Sequence, residues 1–167
     1  MTRMASAARP GGRGGPKDRR RTNLVALVNG KSGGKQGEKL IAKIRKHVGD
    51  ANVLDIVKGG PKAAFKAHAA DGPNTRFIVC GGDGTVGWAL QDLDAVRKEG
   101  ILQQDVAIAV LPLGTGNDMA RTLKCGGGYS GGKVLPMLRK AAVSDTQRLD
   151  RWKVFTLPKA QWCSSAK

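Results

Sequence analysis

The sequence predicts an α/β fold in which a mostly parallel sheet lies between two layers of helices. Short apolar runs alternate along the chain with segments whose apolar residues recur at helical spacing, and this alternation is typical of consecutive βα units. Crossovers between parallel strands are right-handed, so the helices cover both faces of the sheet as a three-layer sandwich. The chain has 167 residues and an aromatic content of only 4%, so we expect one core built mainly from aliphatic side chains.

The first predicted βα unit starts at the apolar run of residues 24–28. A glycine-rich loop over residues 29–37 follows this strand. The helix after the loop has one apolar stripe, formed by Leu40, Ile41, Ile44 and Val48. The second unit repeats the pattern: residues 53–57 predict a strand that a Gly-Gly-Pro sequence ends, and the alanine-rich residues 62–70 predict a helix.

The third predicted strand, residues 76–80, leads directly into a polar glycine cluster. The helix behind that cluster is predicted from apolar residues at helical spacing, which are Val86, Ala89, Leu90, Leu93 and Val96. Residues 106–111 form the fourth strand, and a second polar glycine cluster follows it. Two more helices are expected, at residues 118–123 and at residues 133–142, where Pro136 is tolerated only in the first turn.

The two glycine clusters each begin where a predicted strand ends. The first consists of Gly81, Gly82, Asp83, Gly84 and Thr85, and the second of Gly114, Thr115, Gly116, Asn117 and Asp118. Ligands of open α/β sheets bind outside the carboxyl ends of the strands, so both clusters should share one crevice. Glycines let a large anion approach the backbone N–H groups, and the helix that follows turns its positive end toward that anion. The sequence therefore predicts a phosphate site.

Extended motifs surround both clusters and continue on either side of them. They are VNGKSGGKQG at residues 28–37, CGGDGTVGW at residues 80–88, PLGTGNDMAR at residues 112–121, GGGY at residues 126–129 and LDRW at residues 149–152. From residue 24 to residue 154 the chain resembles the catalytic domain of eukaryotic diacylglycerol kinases, although that family usually has proline in place of Gly30.

The resemblance depends on more than the first cluster. NAD kinases, phosphofructokinases and sphingosine kinases also contain Gly-Gly-Asp-Gly-Thr. Trp88 and the second motif discriminate among these families, because sphingosine kinases usually have serine in place of Thr115 and lack the aspartate seen at Asp118. The Walker-type phosphate loop is absent from the sequence, since no G-x-x-x-x-G-K-[ST] spacing occurs.

The resemblance implies the N-terminal lobe of the fold that NAD kinases and diacylglycerol kinases share, and with it a lipid kinase. Such an enzyme transfers the ATP γ-phosphate to 1,2-diacylglycerol in membranes and gives phosphatidic acid, with Mg²⁺ as its cation. The family's catalytic unit has two lobes, and the second carries the carboxylate that takes the substrate's proton. Residues 23–148 would then be the nucleotide-binding lobe, and residues 149–167 would start an incomplete second lobe with a strand at residues 149–154. The alternative is a catalytically inactive nucleotide-binding or interaction module.

Three side chains in the clusters have predicted roles beyond the glycine backbone. Asp83 would repel a phosphate unless a cation lay between them, so it is predicted to recruit Mg²⁺; the alternative is a turn aspartate that accepts its own loop amides. Thr85 is expected to cap the following helix, with or without a ligand contact. Asp118 can stabilise a helix N-terminus and, as the resemblance implies, can also join Asp83 in a catalytic carboxylate network at the metal, because one side chain could do both.

The remaining predicted contacts hold ATP through backbone and small polar groups. They are Asn29, Ser32, Gly81, Gly82, Gly84, Gly114, Thr115, Gly116 and Asn117. The first two offer an amide and a hydroxyl from the first glycine-rich loop, and the others form the two walls of a nucleotide cleft.

The formal net charge of +16 attracts polyanions such as nucleotides, anionic membranes or nucleic acid. Residues 1–22 are rich in arginine, glycine and proline, which predicts a disordered basic arm. A solvated tail is the simplest interpretation of this arm, and a tether to anionic lipid or a nonspecific nucleic-acid contact are the alternatives. No specific nucleic-acid partner is expected, because aromatic residues for base stacking are not interleaved with the charges.

Hydropathy and cysteine content exclude other classes. No apolar run has the length of a transmembrane helix and no signal-peptide core precedes the first strand, so we expect a cytoplasmic protein with peripheral membrane contact. Cys80, Cys125 and Cys163 are an odd number without short ligand spacing, which argues against a disulfide framework and a zinc site. The sequence leaves the oligomeric state open.

Overall fold

The computed structural model describes residues 2–5 and 22–152 of the chain. The strands in these ranges are β1 (Thr2–Ala5), β2 (Asn23–Val28), β3 (Val53–Asp55), β4 (Thr75–Gly81), β5 (Ala107–Pro112) and β6 (Thr146–Leu149). The α-helices are α1 (Ser32–Val48), α2 (Ile56–Ala67), α3 (Asp83–Lys98), α4 (Asp118–Thr122) and α5 (Leu135–Val143). A 3₁₀ turn, Asp50–Asn52, precedes β3.

The strands form one sheet in the order β3-β2-β4-β5-β1-β6. The first five run parallel to their neighbours, and β6 is antiparallel to β1. Helices α1 and α5 pack on one face of the sheet, and α2, α3 and α4 pack on the other. The predicted three-layer α/β fold with a mostly parallel sheet is confirmed.

Alternate residues of the central strand β4 contribute to two cores, because successive side chains of a strand point to opposite faces. Phe77 and Val79 pack among α2, α3 and α4, whereas Ile78 and Cys80 pack against α1 and α5. All four side chains are at most 1% exposed. Burial on both faces is the reason that this strand reads as a continuous apolar run in the sequence.

The second βα unit changes from strand to helix earlier than predicted. The predicted strand over residues 53–57 ends at Asp55, because the carboxylate of Asp55 accepts the Val57 N–H at 3.1 Å and caps α2. The helix is interrupted at Gly60, which has φ +71°, and it continues from Pro61. A Cβ at Gly60 would lie 3.3 Å from the Trp88 ring, so the absence of a side chain also lets α3 pack closely here.

Helix α1 also starts earlier than predicted, at Ser32 within the expected glycine-rich loop. Gly37 lies in this helix and is buried. A Cβ at Gly37 would meet the Asn29 carbonyl oxygen at 2.2 Å, so only glycine permits this approach of the helix to the end of β2. The glycine therefore serves helix packing where the sequence indicated loop flexibility.

The later helices lie close to their predicted positions. Helix α4 ends one residue before the predicted boundary, and α5 starts two residues after it. Pro136 falls in the first turn of α5, as predicted. Within the described ranges, no helix combines the length and apolar character needed to cross a membrane.

The prediction of a disordered arm over residues 1–22 is wrong at its start. Thr2–Ala5 forms β1, which inserts between β5 and β6, and the Met4 side chain is fully buried in the core. The edge of β5 offers unpaired backbone groups that a short segment can satisfy, and this long-range pairing leaves no periodicity in the sequence. Residues 6–21, the rest of the predicted arm, lie outside the described residues.

The last strand also differs from its prediction. A strand was expected at residues 149–154, whereas β6 covers Thr146–Leu149 and pairs with β1 in the same sheet. Arg151 then donates to the Leu90 carbonyl at 3.2 Å, which ties the chain after β6 to α3. Residues 153–167 lie outside the described part, so the domain boundary at residue 149 stays a prediction.

Candidate functional site

The loops that leave β2, β3, β4 and β5 meet at one edge of the sheet, because the carboxyl ends of parallel strands lie together. The Leu113 N–H donates to the Gly81 carbonyl at 3.1 Å, and the Asn29 N–H donates to the Cys80 carbonyl at 3.0 Å. A Cβ at Gly33 would lie 3.3 Å from the Gly114 nitrogen. Both glycine clusters and the first glycine-rich loop therefore lie together at this edge of the sheet, in what we call the crevice.

The first cluster is a tight turn from β4 into α3. Gly82 is the N-cap of α3, and its carbonyl accepts the Thr85 N–H at 2.9 Å. The prediction that Thr85 caps the helix is wrong, because α3 begins two residues earlier, at Asp83. The Thr85 hydroxyl instead accepts the Asn29 side-chain amide at 3.0 Å, which ties the first loop to the first cluster. At Gly81, a Cβ would lie 2.6 Å from the Thr85 side chain.

Asp83 joins the two clusters. Its two carboxylate oxygens accept the Asp118 N–H at 2.7 Å and the Met119 N–H at 3.3 Å, both at the start of α4. Its own N–H donates to the Gly116 carbonyl at 3.2 Å. Asp83 thus satisfies amides of the second cluster and not those of its own loop, and its negative charge faces the positive end of α4.

The second cluster is exposed at its tip and anchored from inside. Gly114, Thr115 and Gly116 are exposed, whereas the Asn117 side chain is 1% exposed. The Asn117 amide nitrogen donates to the carbonyls of Gly114 at 2.7 Å and Gly127 at 3.0 Å. Asn117 therefore shapes the loop from its interior, and its side chain does not line the surface of the crevice.

Asp118 lies at the surface of the crevice, with 87% of its side chain exposed. Arg121 donates to the Asp118 carboxylate at 2.8 Å and to the Thr115 carbonyl at 3.4 Å. This arginine belongs to the second motif, but no role was predicted for it from the sequence. Its spacing of three residues from Asp118 on a helix was the signal that could have placed both side chains together.

The first loop brings polar groups to the same edge. The Asn29 side-chain oxygen accepts the Lys31 N–H at 3.1 Å, so both halves of its amide make contacts within the site. Ser32 is half-buried at the start of α1, where no side chain caps the helix. The Ser32 N–H donates to the Asn29 carbonyl at 3.0 Å, and Gly33 and Gly34 follow with φ of +61° and +62°.

Asp55 is a further polar residue of this edge that was not predicted from the sequence. Its Oδ1 atom accepts the Gly30 N–H at 3.4 Å, in addition to the Val57 N–H, and this contact brings a carboxylate against the first loop. Asp55 ends the second strand of a βαβ unit whose first turn is glycine-rich. Nucleotide-binding sheets place an acidic residue at this position, so the sequence pattern could have identified it.

Comparisons with known proteins agree with the motifs at this edge. The family model of the diacylglycerol kinase catalytic domain matches residues 23–152. This chain belongs to the diacylglycerol kinase family. It is 43% identical over 135 residues to the eye-specific diacylglycerol kinase of Drosophila melanogaster. The alignment covers 81% of this chain and 9% of that protein.

Two mammalian relatives give similar values. The chain is 43% identical over 135 residues to diacylglycerol kinase zeta of Homo sapiens, and 40% identical over 132 residues to diacylglycerol kinase theta of Mus musculus. These alignments cover 81% and 79% of this chain, and 14% of each relative. The chain thus spans about a seventh or less of the length of these relatives. No solved structure matches the chain.

Asp83 and Asp118 are two carboxylates at this edge that could hold a magnesium ion together with a nucleotide. Mg²⁺ keeps several waters and takes one or two carboxylates together with substrate phosphates. Asp83 and Asp118 supply that number, and each carboxylate oxygen can accept more than one partner. No group of three or more His, Cys, Asp or Glu side chains occurs in the described ranges, so the protein alone offers no complete metal cage there.

The cysteine beside the first cluster has no chemical role in the site. Burial raises the pKa of the Cys80 thiol far above its ordinary value, because a thiolate would lose its hydration. Burial also raises the pKa of Cys125. Both thiols stay protonated near neutral pH and are poor nucleophiles.

Proposed function

We propose that the chain forms the nucleotide-binding part of a diacylglycerol kinase, which transfers the ATP γ-phosphate to the free hydroxyl of 1,2-diacylglycerol. The products are ADP and phosphatidic acid. The observation that carries this proposal is the clamp that Asp83 forms between two glycine clusters at the carboxyl edge of the sheet. Phosphoryl transfer depends on positioning and electrostatic stabilisation, and a rigid crevice of backbone N–H groups supplies both.

Backbone groups of the second cluster support phosphate binding. Among the described residues, the N–H groups of Gly114, Thr115 and Gly116 donate to no protein acceptor, and all three residues are exposed. The start of α3 adds the N–H group of Gly84 to the other wall, where Gly82 leaves the helix end without a side-chain cap. The terminal phosphates would lie between these two walls.

Asp83 and Asp118 would hold Mg²⁺ together with the nucleotide. When bound, the ion neutralises charge on the phosphates during transfer. Arg121 holds the Asp118 carboxylate in place through its 2.8 Å contact, and Asp83 is held by two N–H groups of α4.

A binding experiment and an activity experiment on the full chain test the proposal separately. Calorimetry should detect Mg²⁺-dependent ATP binding, and Asp83→Asn should weaken it by about tenfold or more, since one oxygen of the clamp becomes a donor that faces an N–H group. Asp94→Asn removes a charge from the same helix, away from the crevice, and should change the affinity by less than about twofold. Equal effects of both variants would contradict the site.

The activity experiment follows labelled phosphate from ATP into phosphatidic acid on mixed micelles that contain diacylglycerol. Transfer that Asp83→Asn abolishes and Asp94→Asn retains supports the kinase. Tight ATP binding without any transfer would favour the alternative of a catalytically inactive nucleotide-binding module.

Peripheral contact with anionic lipid is a further part of the proposal. Between α1 and the start of α5 lies an open groove of about 500 Å³, whose lysine lining residues are Lys43, Lys46 and Lys133. Helix α5 contains no acidic residue. On the opposite layer, Glu99 pairs with Lys62 and Lys66, which neutralises much of the charge there. The groove therefore gives the molecule a basic side that suits an anionic bilayer.

Vesicle flotation tests this surface with a matched pair of variants. Reversing Lys46 and Lys133 to glutamate should reduce binding of the full chain to phosphatidylserine-containing vesicles, since each basic residue near such a surface contributes about 1 kcal/mol. Reversing Lys58 and Lys98, which are exposed on the opposite layer, changes the net charge equally and should have a smaller effect. Equal losses in both variants would assign binding to net charge alone.

A further inference from the structure

Asp55 lies at one side of the crevice, apart from the two glycine clusters. It pairs with Val28 in the register of β3 and β2, so it stands beside the start of the first loop. Strands β3 and β4 are separated by β2, which places the end of β3 about 10 Å from the first cluster at a spacing of about 4.8 Å per strand. A nucleoside triphosphate spans such a distance between its sugar and its terminal phosphates.

The carboxylate of Asp55 is only partly used by the protein. Its Oδ1 atom accepts both recorded N–H groups, from Gly30 and from Val57. In the described part of the chain, its Oδ2 atom accepts no hydrogen bond and makes no ion pair. Asp55 is half-buried, and a Cβ at Gly30 would lie 3.3 Å from both oxygens, so the loop contacts the carboxylate without a side chain between them.

The charge of Asp55 decides which part of a nucleotide can lie against it. A carboxylate repels phosphate, so the triphosphate is directed to the N–H groups of the glycine clusters and away from β3. An ionised carboxylate only accepts hydrogen bonds, and the two lone pairs of Oδ2 can accept two neighbouring sugar hydroxyls. Dinucleotide-binding sheets use an acidic residue after the second strand in the same way.

We propose that Asp55 binds the ribose hydroxyls of the nucleotide and thereby sets its orientation and its preference for ribonucleotides. This inference rests on the proposed function, since it assumes that the crevice takes ATP. It assigns the first loop and β3 to the sugar and leaves the triphosphate to the two clusters.

Competition between ATP and 2′,3′-dideoxy-ATP, measured by calorimetry on the full chain, tests the inference. The wild type should bind ATP at least about tenfold more tightly than the dideoxy nucleotide, because two charge-assisted hydrogen bonds are lost. In Asp55→Ser this ratio should fall to about twofold or less. Serine is itself a good N-cap, so α2 should keep its start and the variant should remain folded. Circular dichroism checks the fold.

Asp50→Ser is the matched control, because it removes an exposed carboxylate beyond the other end of α1 and should leave the ratio unchanged. Asp55→Asn keeps an acceptor oxygen and should give an intermediate ratio. A wild-type affinity ratio near one would overturn the role of Asp55, and so would a high ratio that persists in Asp55→Ser. ATP binding itself would stand in both cases. A ratio near one is also expected if Asp55 bound the adenine amine in place of the ribose. Absence of ATP binding by the wild type would remove the proposed function as well.

Discussion

Replacement of Asn117 by aspartate should destabilise the protein more than replacement by alanine, although aspartate has nearly the same shape as asparagine. The Asn117 amide nitrogen lies 2.7 Å from the Gly114 carbonyl oxygen and 3.0 Å from the Gly127 carbonyl oxygen, and the side chain is 1% exposed. In Asn117→Asp, a carboxylate oxygen takes the place of the donor. Three oxygen atoms then face one another in a buried space, with no hydrogen between them.

The magnitude follows from the number of bonds. Asn117→Ala removes two hydrogen bonds at about 1 kcal/mol each, so it should lower the free energy of unfolding by about 2 kcal/mol. For a domain of this size, such a loss lowers Tm by roughly 4 to 8 °C. Asn117→Asp adds the cost of an unpaired buried charge, and its total should reach at least about 3 kcal/mol.

Urea denaturation at several pH values separates the two variants. Burial without a partner raises the folded-state pKa of the introduced carboxyl above the unfolded value of about 3.9. The stability of Asn117→Asp relative to wild type should therefore be highest below about pH 4 and fall as pH rises past that value. The difference between Asn117→Ala and wild type should not vary in this window. An Asn117→Asp variant as stable as wild type at pH 7 would refute the reasoning.

Three further predictions follow from buried positions. Met4→Ala should lower the free energy of unfolding by about 2 to 5 kcal/mol in urea denaturation, because Met4 is fully buried. An unchanged free energy of unfolding would contradict β1 and would favour the predicted disordered arm. Gly37→Ala should destabilise the protein by at least about 1 to 3 kcal/mol, because its Cβ would lie 2.2 Å from the Asn29 carbonyl oxygen. Gly34→Ala is the control: its Cβ would meet no atom within 4 Å, so this variant measures only the strain of a positive φ. Cys80 should resist thiol reagents at pH 8 until the protein unfolds, because burial raises its pKa; rapid labelling of the folded chain, identified by peptide mass, would contradict its burial.

The sequence predicted the parallel core well, because its signal is local. Residues such as Phe77 and Ile78 are buried on opposite faces of the same strand, so the whole segment is apolar and easily recognised. The common edge of the two glycine clusters followed from the same reasoning, since parallel strands place their carboxyl ends together.

The sequence did not predict features that depend on partners far along the chain. The Asp83 carboxylate accepts an N–H from a residue 35 positions away, and the Asn117 amide closes a loop through Gly127. Strand β1 forms because β5, more than 100 residues later, has an edge to pair with. Such contacts leave no periodicity in the local sequence. The start of α2 was missed for a different reason: Asp55 caps the helix, which overrides the β-propensity of Ile56 and Val57.

Titration of the ¹⁵N-labelled chain with Mg²⁺-ATP, followed by NMR, tests most directly the central claim that the two glycine clusters hold the phosphates of a nucleotide. Saturable shifts of the amide signals of Gly82, Gly84, Gly114, Thr115 and Gly116 are predicted with ATP. Adenosine without phosphates should shift them far less. Shifts confined to the groove around Lys46 and Lys133, with unchanged signals in both clusters, would contradict the claim and would assign nucleotide binding to the basic surface.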